Sequence, residues 1–301
     1  MGCPELLPLI GQELQTAIEE NSGPGSFREL LYLPLRQPGK VLGGAPSPRW
    51  VMLVCAASRA AGGAQAATAR VAAAVELFVA AADLFDEIED ADASAVVAAS
   101  SSSQAVNVAS ALLMLSQECL ARLDGTEIPA HRVPDFCRTL SQHALKAAAG
   151  QHMDLASEGL ASVDVNKAFE IARSKAGELG AVACRLGAMC GTENTELLDI
   201  YAEFGRHLGT MGQLANDAQD ALDTITKSDV RLQKRTVVRA FQDGSNAART
   251  IPGVLTGEDQ GQAALAFTQV VIGLERQAAL DALERLAQRG QCISQLRELV
   301  G

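Results

Sequence analysis

Five acids fall within seven positions, Asp86, Glu87, Glu89, Asp90 and Asp92, at the end of a long alanine-rich apolar run. On a helix Asp86 and Asp90 stand one above the other at i and i+4, with Glu87 to one side. Carboxylates so placed repel, and any that leave water without a partner cost several kcal/mol or take up protons. A divalent cation relieves both problems. A second group lies far down the chain, in Gly209-Thr210-Met211-Gly212-Gln213-Leu214-Ala215-Asn216-Asp217-Ala218-Gln219-Asp220, where Asp217 and Asp220 share a helix face three residues apart. Two helical carboxylate clusters of one kind suggest a single site between them. The competing reading makes the first cluster a solvated helix end, as charge runs commonly are. Against it, acids at a helix C-terminus oppose the dipole, which favours cations there.

The elements that must position these acids are helices. Val71 to Phe85 contains no Gly or Pro and is rich in Ala, Val and Leu, which predicts a buried helix of about four turns. Further helices are expected over Leu6–Glu20, Phe27–Leu33, Val51–Ala61, Gln104–Arg122, Val133–Ala149, Gly180–Gly191 and Asp199–Leu214, with a helix or helix pair from Gln260 to Val300. Small residues in Gly180–Gly191 would let neighbouring helices approach closely. The Ser100–Ser103 run reads as flexible. The 301 residues, 48% hydrophobic with only 4% aromatic, suit one large all-α domain, 1–301, with a core of Ala, Leu and Val.

Net charge of −11 argues against nucleic acid or an anionic membrane surface as the main partner. Seven cysteines show no C-x-x-C pair and no zinc spacing, so they read as reduced and buried in a cytoplasmic protein. There is no signal-peptide pattern, and no apolar run reaches the roughly 18–20 residues needed to span a bilayer.

With both clusters in view, the chain resembles the trans-isoprenyl (polyprenyl) diphosphate synthase family. That family carries a first motif, D-D-x-x-D, and a second, G-x-x-x-Q-x-x-D-D-x-x-D, on facing helices of an all-α bundle with a central cavity. Asp86, Glu87 and Asp90 fall on the first, with Glu replacing one Asp. Gly209, Gln213, Asn216, Asp217 and Asp220 fall on the second, with Asn replacing one Asp. Both replacements supply oxygen ligands of the kind Mg²⁺ accepts. Gly150-Gln151-His152-Met153-Asp154-Leu155 resembles G-Q-x-x-D-L, which assigns Gln151 and Asp154 to diphosphate or metal, and His152 is off the pattern. Lys175 matches the Lys of K-T-[AG]-x-L, and Lys227 and Lys234 match a later lysine motif that closes over bound diphosphate. In the loop Gln37 to Trp50, Lys40 and Arg49 are the candidates for a second diphosphate, that of isopentenyl diphosphate. Departures concentrate at that second site: Val79 replaces a His, and the R-R-G-x-P segment is absent.

The resemblance implies an isoprenoid synthase in which three Mg²⁺ ions, held by Asp86, Glu87, Asp90, Asn216, Asp217 and Asp220, bind an allylic prenyl diphosphate and promote loss of pyrophosphate. Asp86, Asp90, Asp217 and Lys175 would be its catalytic residues. Ala81 and Ala82, where the family often places bulk, imply a deep pocket for about fifteen carbons or more. Three fates for the cation compete. Cyclisation by a terpene synthase stands first, because it needs no second diphosphate site. Chain elongation with isopentenyl diphosphate follows, and prenyl transfer to another acceptor, such as a peptide tryptophan, is third. An inactive subunit of a heteromeric synthase is a fourth reading, opposed by the retained acids. Homodimerisation is the family's habit.

Overall fold

The computed structural model describes residues 3–21, 23–92, 94–158, 160, 162–226, 236–247 and 257–301. Its elements run α1 (Cys3–Asn21), α2 (Gly25–Leu35), α3 (Arg49–Ala61), α4 (Gln65–Glu89), α5 (Ala95–Ala99), α6 (Ser102–Ala121), α7 (Val133–Glu158), α8 (Val165–Ala172), α9 (Glu178–Met189), α10 (Thr195–Thr226), α11 (Val237–Ala247), α12 (Gly257–Gln288) and α13 (Ser294–Glu298). There is no strand among the described residues. No helix among them is long and apolar enough to cross a membrane.

The organising element is α4. Every residue from Val71 to Ala81 is buried, whichever way it points. A helix that is apolar all round can only lie inside a bundle, and α4 packs against α1, α3, α6 and α9. Alanine on so many faces keeps these contacts close and leaves the last two turns, with the acids, to emerge from the core. The helix is longer than its apolar run, reaching Glu89, because Asp86 to Glu89 are compatible with helix once one side faces partners. Ala91 then adopts a left-handed φ of 53° and ends it.

On the other side of the bundle α3 packs on α9, α9 on α10, and α10 on α12. The small residues of α9 act as expected. A Cβ at Gly180 would meet the Gly205 carbonyl oxygen of α10 at 2.0 Å, so the two backbones touch. One expectation is corrected. The serine run is no loose tether: Ser100 closes α5, and the Ser101 hydroxyl accepts the Gln104 N–H at 3.3 Å to cap α6.

Between α8 and α9 the chain takes one widened π turn, Arg173–Gly177. Such turns arise where a helix must absorb an extra residue, often at functional sites. Gly150 of α7 abuts this turn, and a Cβ there would meet Ser174 Cβ at 2.7 Å. The close approach brings the turn's Lys175 over the last part of α7.

Candidate active site

Lys175 is where three helices meet. Its ammonium donates to Asp86 Oδ1 of α4 at 3.1 Å and to Asp154 Oδ2 of α7 at 2.6 Å. Burial alone would lower the Lys175 pKa, but the two carboxylates outweigh it and the net movement is upward. The lysine is therefore fully charged. Gly209 explains how α10 reaches the same place: a Cβ there would strike the Ala176 carbonyl at 2.1 Å, so only glycine lets α10 lie against the π turn.

Further along α10, Asp217 accepts a hydrogen bond from Gln213 Nε2 at 2.9 Å. Burial pushes the Asp217 carboxyl up to about 6. The Gln213 bond opposes this, while the nearby charges of Asp220 and Asp154 add to it. An acid that resists ionisation is one whose charge a cation would relieve. Gln151 of α7 donates to Glu89 Oε2 at 2.8 Å, and its own carbonyl oxygen is buried with no hydrogen-bond partner.

The clusters thus face one another across Lys175, and α7 supplies a third acid. The donor set is wholly oxygen, with one buried amide oxygen lacking a partner, which fits a hard cation such as Mg²⁺. Among the described residues, no three acids, histidines or cysteines close into a cage.

Not every expected residue joins this group. Asn216 and Asp220 are exposed on α10, Asp90 is half-buried at the end of α4, and His152 is exposed. Lys227 and Lys234 lie outside the described residues. Arg49 points inward: its guanidinium donates to the Leu208 carbonyl at 2.8 Å and lies 5.2 Å from the centre of the Trp50 ring. Burial lowers its pKa. Lys40 is nearly buried and bonds Asp83 Oδ2 at 2.7 Å. Ala81 is fully buried and Ala82 half-buried.

Sequence reasoning passed over Asp83, and also the group beneath the π turn. There Glu178 accepts from Arg206 Nε at 2.7 Å and from His143 Nδ1 at 2.6 Å, tying the start of α9 to α10 and α7. Burial would raise the Glu178 pKa, yet these partners hold it at about 2. A glutamate inside a stretch of Gly, Ala and Val was the available signal.

An all-helical bundle with acids on facing helices is the isoprenoid synthase architecture, and solved structures share it over nearly the whole chain. Geranylgeranyl pyrophosphate synthetase from Pyrococcus horikoshii superposes with a TM-score of 0.71 at 20% identity, covering 98% of this chain and 95% of that one. Polyprenyl synthase from Caulobacter crescentus, complexed with calcium and isoprenyl diphosphate, gives 0.74 at 19% identity, covering 99% and 95%. Residues 41–268 match the polyprenyl synthetase family, and the chain belongs to that family of isoprenoid synthases. It is 27% identical over 172 residues to the tryptophan prenyltransferase ComQ of Bacillus spizizenii, 57% of each chain. It is 27% identical over 135 residues to geranylgeranyl diphosphate synthase of Methanosarcina mazei, 42% of this chain and 41% of that one. The chain spans about half the length of the curated relatives it matches.

Proposed function

We propose that the chain ionises an allylic (E)-prenyl diphosphate of about fifteen carbons or more, with Mg²⁺, and releases pyrophosphate. The observation that carries this reading is Lys175, which joins Asp86 and Asp154 beside the half-buried Asp217. Asp86, Glu87 and Asp90 on one side, and Asp217 with Asn216 and Asp220 on the other, would hold the metal, three ions by analogy with the family. Bound Mg²⁺ supplies Lewis-acid stabilisation of the leaving pyrophosphate. The chain's own residues do the rest. Lys175 must release one carboxylate to turn a donor toward the phosphate oxygens as the C–O bond breaks. Gln213 orients Asp217, Gln151 offers its free amide oxygen, and Lys227 and Lys234 would add cations from outside the described residues. The apolar core beneath α4, with Ala81 and Ala82, keeps water from the cation.

For the cation's fate, transfer to an acceptor other than isopentenyl diphosphate and elongation with it both have support. Lys40 and Arg49, the two candidates for that second diphosphate, are both hydrogen-bonded to other groups of the chain. The likeness to ComQ, a tryptophan prenyltransferase, supports transfer. Elongation keeps an equal claim from the likeness to a geranylgeranyl diphosphate synthase. Cyclisation, the first expectation, gains no support from these relatives. A homodimer is favoured by the exposed apolar side chains Val106, Met114 and Leu145 on the adjoining α6 and α7.

The test is pyrophosphate release from geranyl, farnesyl and geranylgeranyl diphosphate, with Mg²⁺ or with chelator, and with or without isopentenyl diphosphate. Metal-dependent release from the two longer substrates is expected. No release from any of the three would overturn the reading.

A further inference from the structure

Asp86 is not the only acid of α4 that reaches α7. Glu89, the last residue of α4, stands three residues further on, about 60° round the helix and on the side away from Asp83. Its carboxylate accepts from Gln151 Nε2 of α7 at 2.8 Å. Gln151 in turn precedes Asp154 by three residues, and Asp154 is the α7 acid that Lys175 joins to Asp86. Two rungs, one turn apart, therefore connect the helices. One passes through the Lys175 ammonium, and the other through the Gln151 amide.

The second rung decides which way that amide faces. An amide donates from nitrogen and accepts at oxygen, whereas an ionised carboxylate only accepts. Glu89 must therefore meet the nitrogen, and the oxygen is held on the other side. That oxygen is buried and has no hydrogen-bond partner among the described residues. A buried acceptor left unmatched is costly, and an amide free to turn would exchange it for a donor. Glu89 prevents the exchange. The atom so presented suits a cation, or a water held by one, and does not suit a phosphate oxygen, which is itself an acceptor.

We propose that Glu89 is a positioning residue, which fixes the Gln151 amide with its oxygen presented to the cation held between α4 and α7. Gln151 then serves the metal, directly or through one of the ion's own waters, and not the diphosphate. This deepens the ionisation reading above and rests on it. Glu89 occupies a position that D-D-x-x-D leaves open, so its role follows from its partner on α7 and not from the motif.

The experiment titrates the full chain with Mn²⁺ alone, reading the free ion by electron paramagnetic resonance, and follows pyrophosphate release from farnesyl diphosphate against Mg²⁺ in parallel. The variants are Glu89→Ala, Glu89→Gln, Gln151→Met, and Glu89→Ala combined with Gln151→Met. Glu89→Ala and Gln151→Met should each weaken the tightest Mn²⁺ site about tenfold, as loss of a group that orients a metal ligand does. The double variant should be no weaker than either, since both changes act through one amide oxygen. Glu89→Gln should stay within about threefold of native, because its own oxygen still accepts from Gln151. In turnover, the larger change should fall on the half-saturating Mg²⁺ concentration and the smaller on the maximal rate. Glu89→Gln falling as far as Glu89→Ala, a double variant about a hundredfold weaker, native Mn²⁺ affinity in Glu89→Ala, or a native chain that binds no Mn²⁺ each overturn the proposal. Pyrophosphate release by the native chain then leaves the ionisation reading standing, and its absence overturns both.

Discussion

The last turns of α4 carry two rows of acids roughly 60° apart around the helix, and each row meets one lysine. Asp86 shares Lys175 with Asp154, a residue of another helix. Asp83 holds Lys40, which comes from the loop just before α3. The first lysine is a bridge between elements, with more negative charge around it than it can neutralise. The second is bonded to Asp83 alone in a closed pair, with the buried Glu76 beside it. Excess carboxylate around a cation leaves room for more cations, so the first row is built for metal and phosphate. A matched pair offers a diphosphate little to gain, so the second row is not.

The comparison is tested most severely at Lys175. Lys175→Ala removes a donor aimed at the leaving group, and loss of one such donor typically slows the step by about 10²–10³-fold. Single-turnover pyrophosphate release should fall by that amount, with helical content unchanged. A variant that keeps more than about a third of native activity would make Lys175 an ordinary ion pair and erase the distinction between the rows.

Asp217→Asn sharpens the contrast through pH. The folded pKa near 6 lies above the unfolded value of about 3.9, so ionised Asp217 burdens the metal-free fold. That burden is absent below about pH 4, grows as pH rises toward 6, and is constant above. The amide variant should therefore melt higher than the native chain at pH 8 without metal, and the gain should vanish near pH 4. In Mg²⁺ with substrate it should lose about 10²-fold in activity, since it removes a charged ligand. A melting temperature that does not respond to pH in this way would mean that Asp217 does not resist ionisation in the fold.

Glu178 supports the first row from below and has the opposite sign. Its folded pKa of about 2 lies under the unfolded value of about 4.3, so its contribution is present above about pH 4 and is lost as pH falls toward 2. Glu178→Gln should cost on the order of 2–3 kcal/mol at pH 7, read by urea unfolding. It should also weaken activity by loosening the π turn that presents Lys175. Loss of stability without loss of activity would separate the turn from the chemistry.

How far these features could be read from the sequence depends on whether helical spacing alone exposes them. Asp86 and Asp90, or Gln213 and Asp217, are pairs that any helix aligns, and the long, largely apolar stretch before Asp86 marks α4 as central. Lys175 and Asp154 were legible only because short motifs around them resemble a family. The π turn was not legible, since it results from Gly150 and Gly209 admitting two other helices, a condition set by tertiary packing. The contact that Arg49 makes was not legible for the same reason. Nothing near Arg49 in the chain names Leu208, 159 residues away, whose carbonyl its guanidinium reaches. Asp83 was overlooked because its distinguishing property is its partner, and nothing near it in the chain names Lys40.

The smallest effect belongs to Lys40, and it is the one that the two-row contrast needs. Lys40→Ala removes the closed pair and leaves Asp83, whose side chain is half exposed, in contact with water. An ion pair with one partner so solvated contributes between about 0 and 1 kcal/mol. Pyrophosphate release from an allylic substrate alone should change by less than about threefold, because no atom of Lys40 reaches Asp86 or the acids across from it. The informative reading is the dependence on isopentenyl diphosphate. If Lys40 grips that molecule, the variant shows a raised half-saturation concentration for it with the single-substrate reaction intact. If the closed pair is only structural, both reactions move together, or neither does.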